Sequence, residues 1–579
     1  MKLRTSWLKY FARRFRSSEF AFGTTLSVII GIAAGLGAVA FRWLISLFQR
    51  LFFDGGATAL AFLGHYYVIL VPAVGGIIVG LLIYFSGAKE TKGHGVPEVM
   101  EAVALKGGRI RSRVAAVKIF ASSICIGSGG SAGREGPIVQ IGSTIGSILG
   151  QRLGLSTEWL KTLVACGAAG GISATFNAPI AGIFFAHEVI LGRIFTRHFG
   201  FVVIASVIAD VIAHAFLGNL QSFSVPSYTL QTNWELVFYF VLGIGCALIA
   251  VIFIRLLYKL EDIFEAVRIP DYVKPALGGI AVGLIGLYNP YLFGVGYDGV
   301  EQALLGKIGL VVLAALLGLK ILATSFTLGS GGSGGVFAPS LFMGAMFGGV
   351  FGKVANSLMP GLVAPEGAFA LVGMAAVFSA AVQAPITAII IVFEMTRDYA
   401  IILPLMMAVV VSTFIAQRLG PESIYTLKLT RRGVDVHPQE EVDILEKVTV
   451  ADVMTRNFPS VPPEMTLAEL ANVFAKSRHH GFPVVDKAGN LKGVVTVADI
   501  EAKITRTNQN LTAADIATTN LITAYPDESL HDVLHKLGDS EVGHIPVIDR
   551  KEPTKLIGVL RRHDIVRAYT KAQSKLRNQ

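Results

Sequence analysis

Cysteine, tryptophan and charge are scarce in this 579-residue chain, which has three cysteines, four tryptophans and 16% charged residues. Cys125, Cys166 and Cys246 all lie in apolar segments, so they read as packing residues and exclude a disulfide framework. So little charge beside 53% hydrophobic residues excludes a single soluble core, and with it a soluble barrel enzyme. No nucleophile and base, and no set of metal ligands, stand at a working spacing, which argues against a membrane-embedded hydrolase. The net charge of +10 is no sign of a nucleic-acid partner. Lys2, Arg4, Lys9, Arg13, Arg14 and Arg16 precede the first apolar run, with only Glu19 opposing them, and such a juxtamembrane cluster places the N-terminus in the cytoplasm. That run lacks a small-residue cleavage site, so no cleavable signal peptide is expected.

Glycine, by contrast, is abundant at 63 residues, and the chain repeats itself. GSGGSAGREGP at 127–137 and GSGGSGGVFAP at 329–339 match at seven of eleven positions, offset by 202. GAAGGISATFNAP at 167–179 and GMAAVFSAAVQAP at 373–385 follow in the same order, offset by 206. Apolar stretches near or above the roughly 20 residues that cross a bilayer recur from Thr24 to Gln417, among them 67–85, 199–217, 236–257 and 401–416. Others are cut short by Gly or Pro, the pattern of broken or tilted helices that line a protein interior. In a membrane, duplication of this kind points to a transport site between the repeats.

Three glycine loops each end in a proline that opens an apolar helix: GHGVP at 93–97, GREGP at 133–137 and GGVFAP at 334–339. Proline suits a first helical turn, and glycine lets backbone approach a ligand closely. Three such loops can aim three helix N-termini at one point, where unpaired amides attract an anion without a buried cationic side chain. Close helix packing through small residues is the plainer reading of any one loop.

After Tyr425 the composition turns polar. The segment 430–447 reads as a linker, and 448–579 holds a second duplication, with copies at about 448–506 and 511–572. FPVVD and LKGVVTV read as short strands around a turn at Gly489 and Asn490, and Leu530, Val533, Leu534 and Leu537 share one helical face. Each copy is a small helix–strand–strand–helix unit.

GREGP, GVFAP and Tyr425 ahead of the polar region together resemble the CLC family of chloride channels and chloride/proton exchangers, over roughly 20–430. The C-terminal duplication resembles a tandem CBS pair, a module that packs as an intramolecular dimer and often binds adenine nucleotides. The resemblance implies an all-α polytopic membrane domain (20–429) built as an inverted repeat of many tilted and broken helices, about 20–217 and 233–429. A cytoplasmic segment, 1–19, precedes it and a cytoplasmic α/β tandem CBS domain follows. It further implies a homodimer in a lipid bilayer, with a separate pore for chloride and other small anions in each subunit. No metal and no required cofactor is expected, an adenine nucleotide is a regulator at the CBS pair, and the location is a prokaryotic inner membrane with both termini cytoplasmic. A CBS-containing divalent-cation transporter is the more distant alternative, because a hard cation needs pore carboxylates where these loops present amides and glycine.

Carried over residue by residue, the resemblance makes Glu135 the gate and proton acceptor, and an ionisable group in a membrane is a functional candidate by default. Gly133, Arg134 and Gly136 flank it, Val336, Phe337 and Ala338 offer backbone amides, and Tyr425 offers its hydroxyl to the central anion. His94 stands where the family usually has serine, either as an anion ligand that alters selectivity and pH dependence or as a loop cap. The inner glutamate of exchangers falls here on Val189, one residue past Glu188. That favours a passive channel, with chloride/proton antiport through His187 or Glu188 as the alternative. Glu394 lies nine residues past its proline as Glu188 does, so the two can equally be a structural pair. Lys118, Lys320, Asp210, Arg255, Arg397 and Asp398 are expected at membrane edges, with long side chains reaching water. Thr496 and Asp499 in GVVTVAD fit a phosphate and ribose pattern; in the second copy Arg561 replaces the hydroxyl residue and Asp564 is retained, and a structural dimerisation module is the competing reading.

Overall fold

A computed structural model of the chain describes residues 19–193, 198–218, 232, 234–434, 448–477, 479–503, 511–537 and 543–568. The N-terminal basic cluster, most of the linker and the end of the second CBS copy lie outside the described residues. The chain forms two compact units, Met1–His437 and Pro438–Gln579.

Among its described residues the regular elements of the first unit are all helices, and seven of these helical stretches are long and apolar enough to cross a membrane. Many of their apolar side chains point outward, as with Val211, Phe240, Val410 and Phe414, while glycine and alanine line the helix crossings beside buried aromatics such as Phe185 and Phe369. Lipid, unlike water, gives no reason to hide Leu or Phe, so the helices meet through glycine and alanine instead. The helices of the two halves correspond in order: Glu135–Arg152 with Phe337–Leu358, Thr157–Phe176 with Glu366–Val382, and Phe199–Leu217 with Ile402–Leu419. Asn177 and Gln383 close the middle pair in the same left-handed conformation, at φ 58° and 59°. Contacts between the halves are reciprocal, as a two-fold relation requires. Glu188 accepts from the Ile386 and Thr387 amides at 3.2 and 2.9 Å, and Glu394 accepts from Ile180 and Ala181 at 3.0 and 2.7 Å. The domain is therefore an inverted repeat with short, broken helices, such as Val96–Leu105 and Pro385–Thr396, at its centre.

The second unit holds two antiparallel strand pairs, Gly481–Val485 with Leu491–Thr496 and His544–Ile548 with Leu556–Arg561, each with an irregularity at its fourth step. Their cores are exchanged. Val450 and Met454, which open the first copy, pack with Ala524, Leu530 and Ile545 of the second. Ala513 and Ile516, which open the second, pack with Leu470, Phe482 and Val495 of the first. Neither copy has a complete core alone, so the two fold as one body. On the helix Leu530–Leu537, Leu530 and Val533 are buried whereas Leu534 is exposed.

A methyl group built on Gly142 would stand 2.1 Å from the Gly167 carbonyl oxygen, and one on Gly344 would stand 2.2 Å from that of Gly373. Gly142→Ala and Gly344→Ala should each lower the thermal stability of the detergent-solubilised protein by at least about 1–3 kcal/mol, the usual cost of overpacking. Gly318→Ala, where nothing lies within 4 Å, should leave the melting temperature unchanged.

Candidate functional site: a carboxylate seated at a helix N-terminus

The three glycine loops are tied to one another by their own backbone. Gly133 and Gly335 exchange N–H to O=C bonds of 2.7 and 2.6 Å, Gly93 donates to the Gly332 carbonyl, and Gly334 donates to that of Gly93. These bonds pair loop carbonyls with loop amides and hold the three helix starts next to one another. Lys118 fixes the first loop by donating to the Thr91 and Gly93 carbonyls at 3.0 and 2.7 Å. Lys320 does the same for the loop before Tyr297, bonding the Leu292 and Gly294 carbonyls. These two lysines, and Asp210, are buried rather than set at membrane edges as expected. An isolated lysine in an apolar helix reads as a snorkelling residue because the carbonyls it satisfies are some 25 positions away in the chain.

Glu135 begins its helix and is completely buried. Its Oε2 accepts from the Ala338 amide at 3.3 Å, in the first turn of Phe337–Leu358, and its Oε1 accepts from the Tyr297 hydroxyl at 2.8 Å. The carboxylate thus takes the place that an anion at that N-terminus would take. Gly133 makes the seat possible, since a Cβ there would stand 2.3 Å from Oε2. Val336 caps the helix, and Phe337 is buried against Phe176 and Phe378, with ring centroids 5.0 and 3.9 Å away. Gly136 lies against the His94 carbonyl, at 2.3 Å from a hypothetical Cβ, and so brings the first and second loops together. The Arg134 guanidinium lies 5.3 Å from the Tyr297 ring centre, and its Nε has no hydrogen-bond partner in the protein. It forms no ion pair with Glu135 within bonding distance among the described contacts. Tyr297 is the functional candidate that sequence reading missed: no motif contains it, and its only signal is a position opening a short helix after Gly296.

His94 and Tyr425 come together with ring centroids 5.7 Å apart, both buried. His94 Nδ1 and the Tyr425 hydroxyl each lack a hydrogen-bond partner in the protein. An orphaned buried polar group costs about 1–3 kcal/mol unless something absent from the protein chain satisfies it. Both can donate, which suits an anion. Tyr258, whose hydroxyl donates to the Ile424 carbonyl at 2.5 Å, lies 3.5 Å from His94 Nε2 and backs the ring. Glu188 and His187 stand apart from this cluster. Both Glu188 oxygens cap the helix Pro385–Thr396, with the Thr387 hydroxyl as a further donor at 2.7 Å. His187 Nδ1 lies 2.9 Å from the Ile183 carbonyl, and its ring packs on Phe199.

In the second unit Thr496 and Asp499 are bonded to each other: the Thr496 hydroxyl and amide both donate to Asp499 Oδ2, at 2.7 and 2.8 Å. Thr449 with Asp452, Thr466 with Glu469, and Thr512 with Asp515 repeat this box, so its first duty is to start a helix. Asp564 is instead gripped by both ends of the Arg561 guanidinium, at 2.7 and 3.0 Å. Burial, and then the neighbouring Arg561, hold the imidazole of His544 below the ordinary histidine range.

Residues 75–417 match the family model described as voltage gated chloride channel, and 450–505 and 513–571 match that of the CBS domain. The chain is 36% identical to a putative chloride channel protein, ClcB-like, of Ralstonia nicotianae, over 70% of this chain and 96% of that protein. It is 35% identical to the H(+)/Cl(-) exchange transporter ClcA of Vibrio parahaemolyticus, over 61% of this chain and 77% of that protein. Among solved structures it resembles a slow cyanobacterial Cl-/H+ antiporter, with TM-score 0.64 and 25% identity, over 72% of this chain and 98% of the other. The chain is a member of the CLC family of chloride-transporting membrane proteins, with a C-terminal CBS pair. It is a multi-pass membrane protein and not an enzyme. The passive-channel expectation drawn from Val189 is not supported, and the exchange alternative fits these relatives better.

The reciprocal caps generate an expectation. Glu188→Gln and Glu394→Gln should lower stability by similar amounts, about 1 kcal/mol each as for other helix N-caps, in thermal unfolding of the purified protein. Neither should change proton movement per chloride; a change confined to Glu188→Gln would give that residue a transport role.

Proposed function

We propose that this protein exchanges chloride for protons across a membrane, as a homodimer with a complete pathway in each subunit. The observation that carries the reading is the Glu135 carboxylate seated on the Ala338 amide: a titratable side chain and a chloride ion compete for one helix N-terminus. Protonation removes the negative charge that holds the side chain there, and chloride can then enter. One group thereby links the two fluxes. Relatives named as a chloride/proton exchange transporter and antiporter support the same conclusion.

Deeper in the pathway, the His94 Nδ1 and Tyr425 hydroxyl supply the second anion position, with the imidazole in the role of the family's serine. For the inner proton step we assign His187, because Glu188 spends both oxygens on capping. An imidazole two residues before Val189 is the titratable side chain there whose role is not already spent on capping. The membrane is a prokaryotic inner membrane, with both termini on the cytoplasmic side. The CBS pair is a site for an adenine nucleotide, at Thr496, Asp499 and Asp564.

In vesicles with an outwardly directed chloride gradient, the protein should drive protons inward against their own gradient. Glu135→Gln should keep chloride flux and lose proton movement and most pH dependence, and His187→Ala should lose proton movement alone. Chloride flux that ignores an imposed pH gradient in the wild type would make the protein a passive pathway. His94→Ser should change the chloride-to-nitrate preference in the same assay.

For the CBS pair, ATP, ADP or AMP should raise the melting temperature of the full chain, because a ligand bound only to the folded form stabilises it. Asp499→Ala should reduce that shift. No shift with any of the three would leave the pair a structural role.

A further inference from the structure

Beside its own backbone amide, two groups hold the Glu135 carboxylate among the described contacts, and one of them, the Ala338 amide, belongs to a loop that the repeated motifs mark. The other is the Tyr297 hydroxyl, 2.8 Å from Oε1. Its placement is built, not incidental. Tyr297 opens the helix Tyr297–Leu304 directly after Gly296, at φ 80°, and the loop before it is pinned by Lys320 through the Leu292 and Gly294 carbonyls at 3.2 and 3.1 Å. The first half has the same device, in which Lys118 pins the Thr91 and Gly93 carbonyls just before His94. Lys118 and Lys320 are separated by 202 residues, the offset of the glycine loops themselves. Each half therefore uses one buried lysine to fix a loop that presents one ring to the pathway, His94 from the first half and Tyr297 from the second. Beyond the loop, the Arg134 guanidinium lies over the Tyr297 ring at 5.3 Å, so the phenol is steadied from a second side.

We propose that Tyr297 is a positioning residue for the gate: its hydroxyl latches the charged Glu135 carboxylate into the anion seat and sets how acidic the medium must be before the gate opens. This rests on the reading of Glu135 as the gate. A hydrogen bond to a carboxylate is roughly twice as strong as one to the neutral acid, so the phenol stabilises the closed, charged form far more than the protonated one. That difference, not the total strength of the bond, shifts the equilibrium between closed and open. The other charged or titratable groups around this pair are Arg134, just before the gate's helix, Arg42 on Glu19–Gln49, which neighbours Tyr297, and Tyr425. Arg134 places a positive charge near the carboxylate and Arg42 one near Tyr297, but neither makes a hydrogen bond to Glu135 among the described contacts. Of the side chains, Tyr297 therefore supplies the directional restraint.

Chloride flux into vesicles measured across a pH series, for the wild type, Tyr297→Phe, Glu135→Gln and the double variant, tests this. Phenylalanine keeps the ring under Arg134 and removes only the donor. Tyr297→Phe should move the acid-activation midpoint to higher pH by about one unit, the size set by losing one charge-assisted hydrogen bond, and raise flux at the alkaline end. In the Glu135→Gln background the same substitution should change nothing, since no carboxylate remains to latch. An unmoved midpoint in Tyr297→Phe, with Glu135→Gln abolishing pH dependence, overturns the latch while leaving the gate. Equal loss of flux at every pH, with or without Glu135, also overturns it, as that is the mark of packing alone. If Glu135→Gln itself retains the wild-type profile, the gate reading fails first and takes the latch with it.

Discussion

Everything in the membrane unit follows from the difficulty of holding a negative charge where there is no water. A buried lysine or arginine beside the anion would bind it too firmly to release it and would itself need solvation; backbone amides at helix starts bring partial positive charge with no counter-ion. For several helix starts to converge, their loops must touch without side chains between them. This is why glycine fills them and why Gly133 and Gly335 bond backbone to backbone. The two buried lysines complete the arrangement from behind. By engaging carbonyls, Lys118 and Lys320 orient each loop with its amide face toward the pathway while staying out of it themselves.

The repeat turns this into a two-sided structure. Reciprocal caps between Glu188 and Glu394 and the glycine-to-glycine crossings at 142 with 167 and 344 with 373 give both halves the same internal scaffold. On that shared scaffold the two halves carry different residues at the site. Position 135 is glutamate where 337 is phenylalanine, and the pinned loops carry His94 in one half and Tyr297 in the other. On the proposed reading this puts a gate in one place and an anion ligand in another, which is what a pathway needs if its two ends are to act differently.

Much of this was legible in the chain. The glycine loops, their offsets and the prolines that follow them mark the repeat and the converging helix starts, and the strand pairs of the CBS module stand where alternation and the turn at Gly489 put them. Features that depend on partners distant in sequence were not legible. Tyr297 is an ordinary tyrosine until its hydroxyl is seen to meet Glu135, 162 positions away. Lys118 and Lys320 look like edge residues until the carbonyls beneath them appear. The exchanged opening helices of the CBS copies were hidden because each short helix is amphipathic whichever core receives it. The valine at 189 points to a passive channel, whereas the relatives fit the exchange alternative better, so one missing carboxylate was too little to decide between the two.

The central claim is that Glu135 and a chloride ion occupy the same seat. Bromide located by its anomalous scattering in crystals of the wild type and of Glu135→Gln, grown at alkaline pH, tests this most directly. The wild type should show bromide beside His94 and Tyr425 and none at the Ala338 amide, and the variant should show bromide at both. Bromide at the Ala338 amide in the wild type, or absent from it in the variant, would contradict the account.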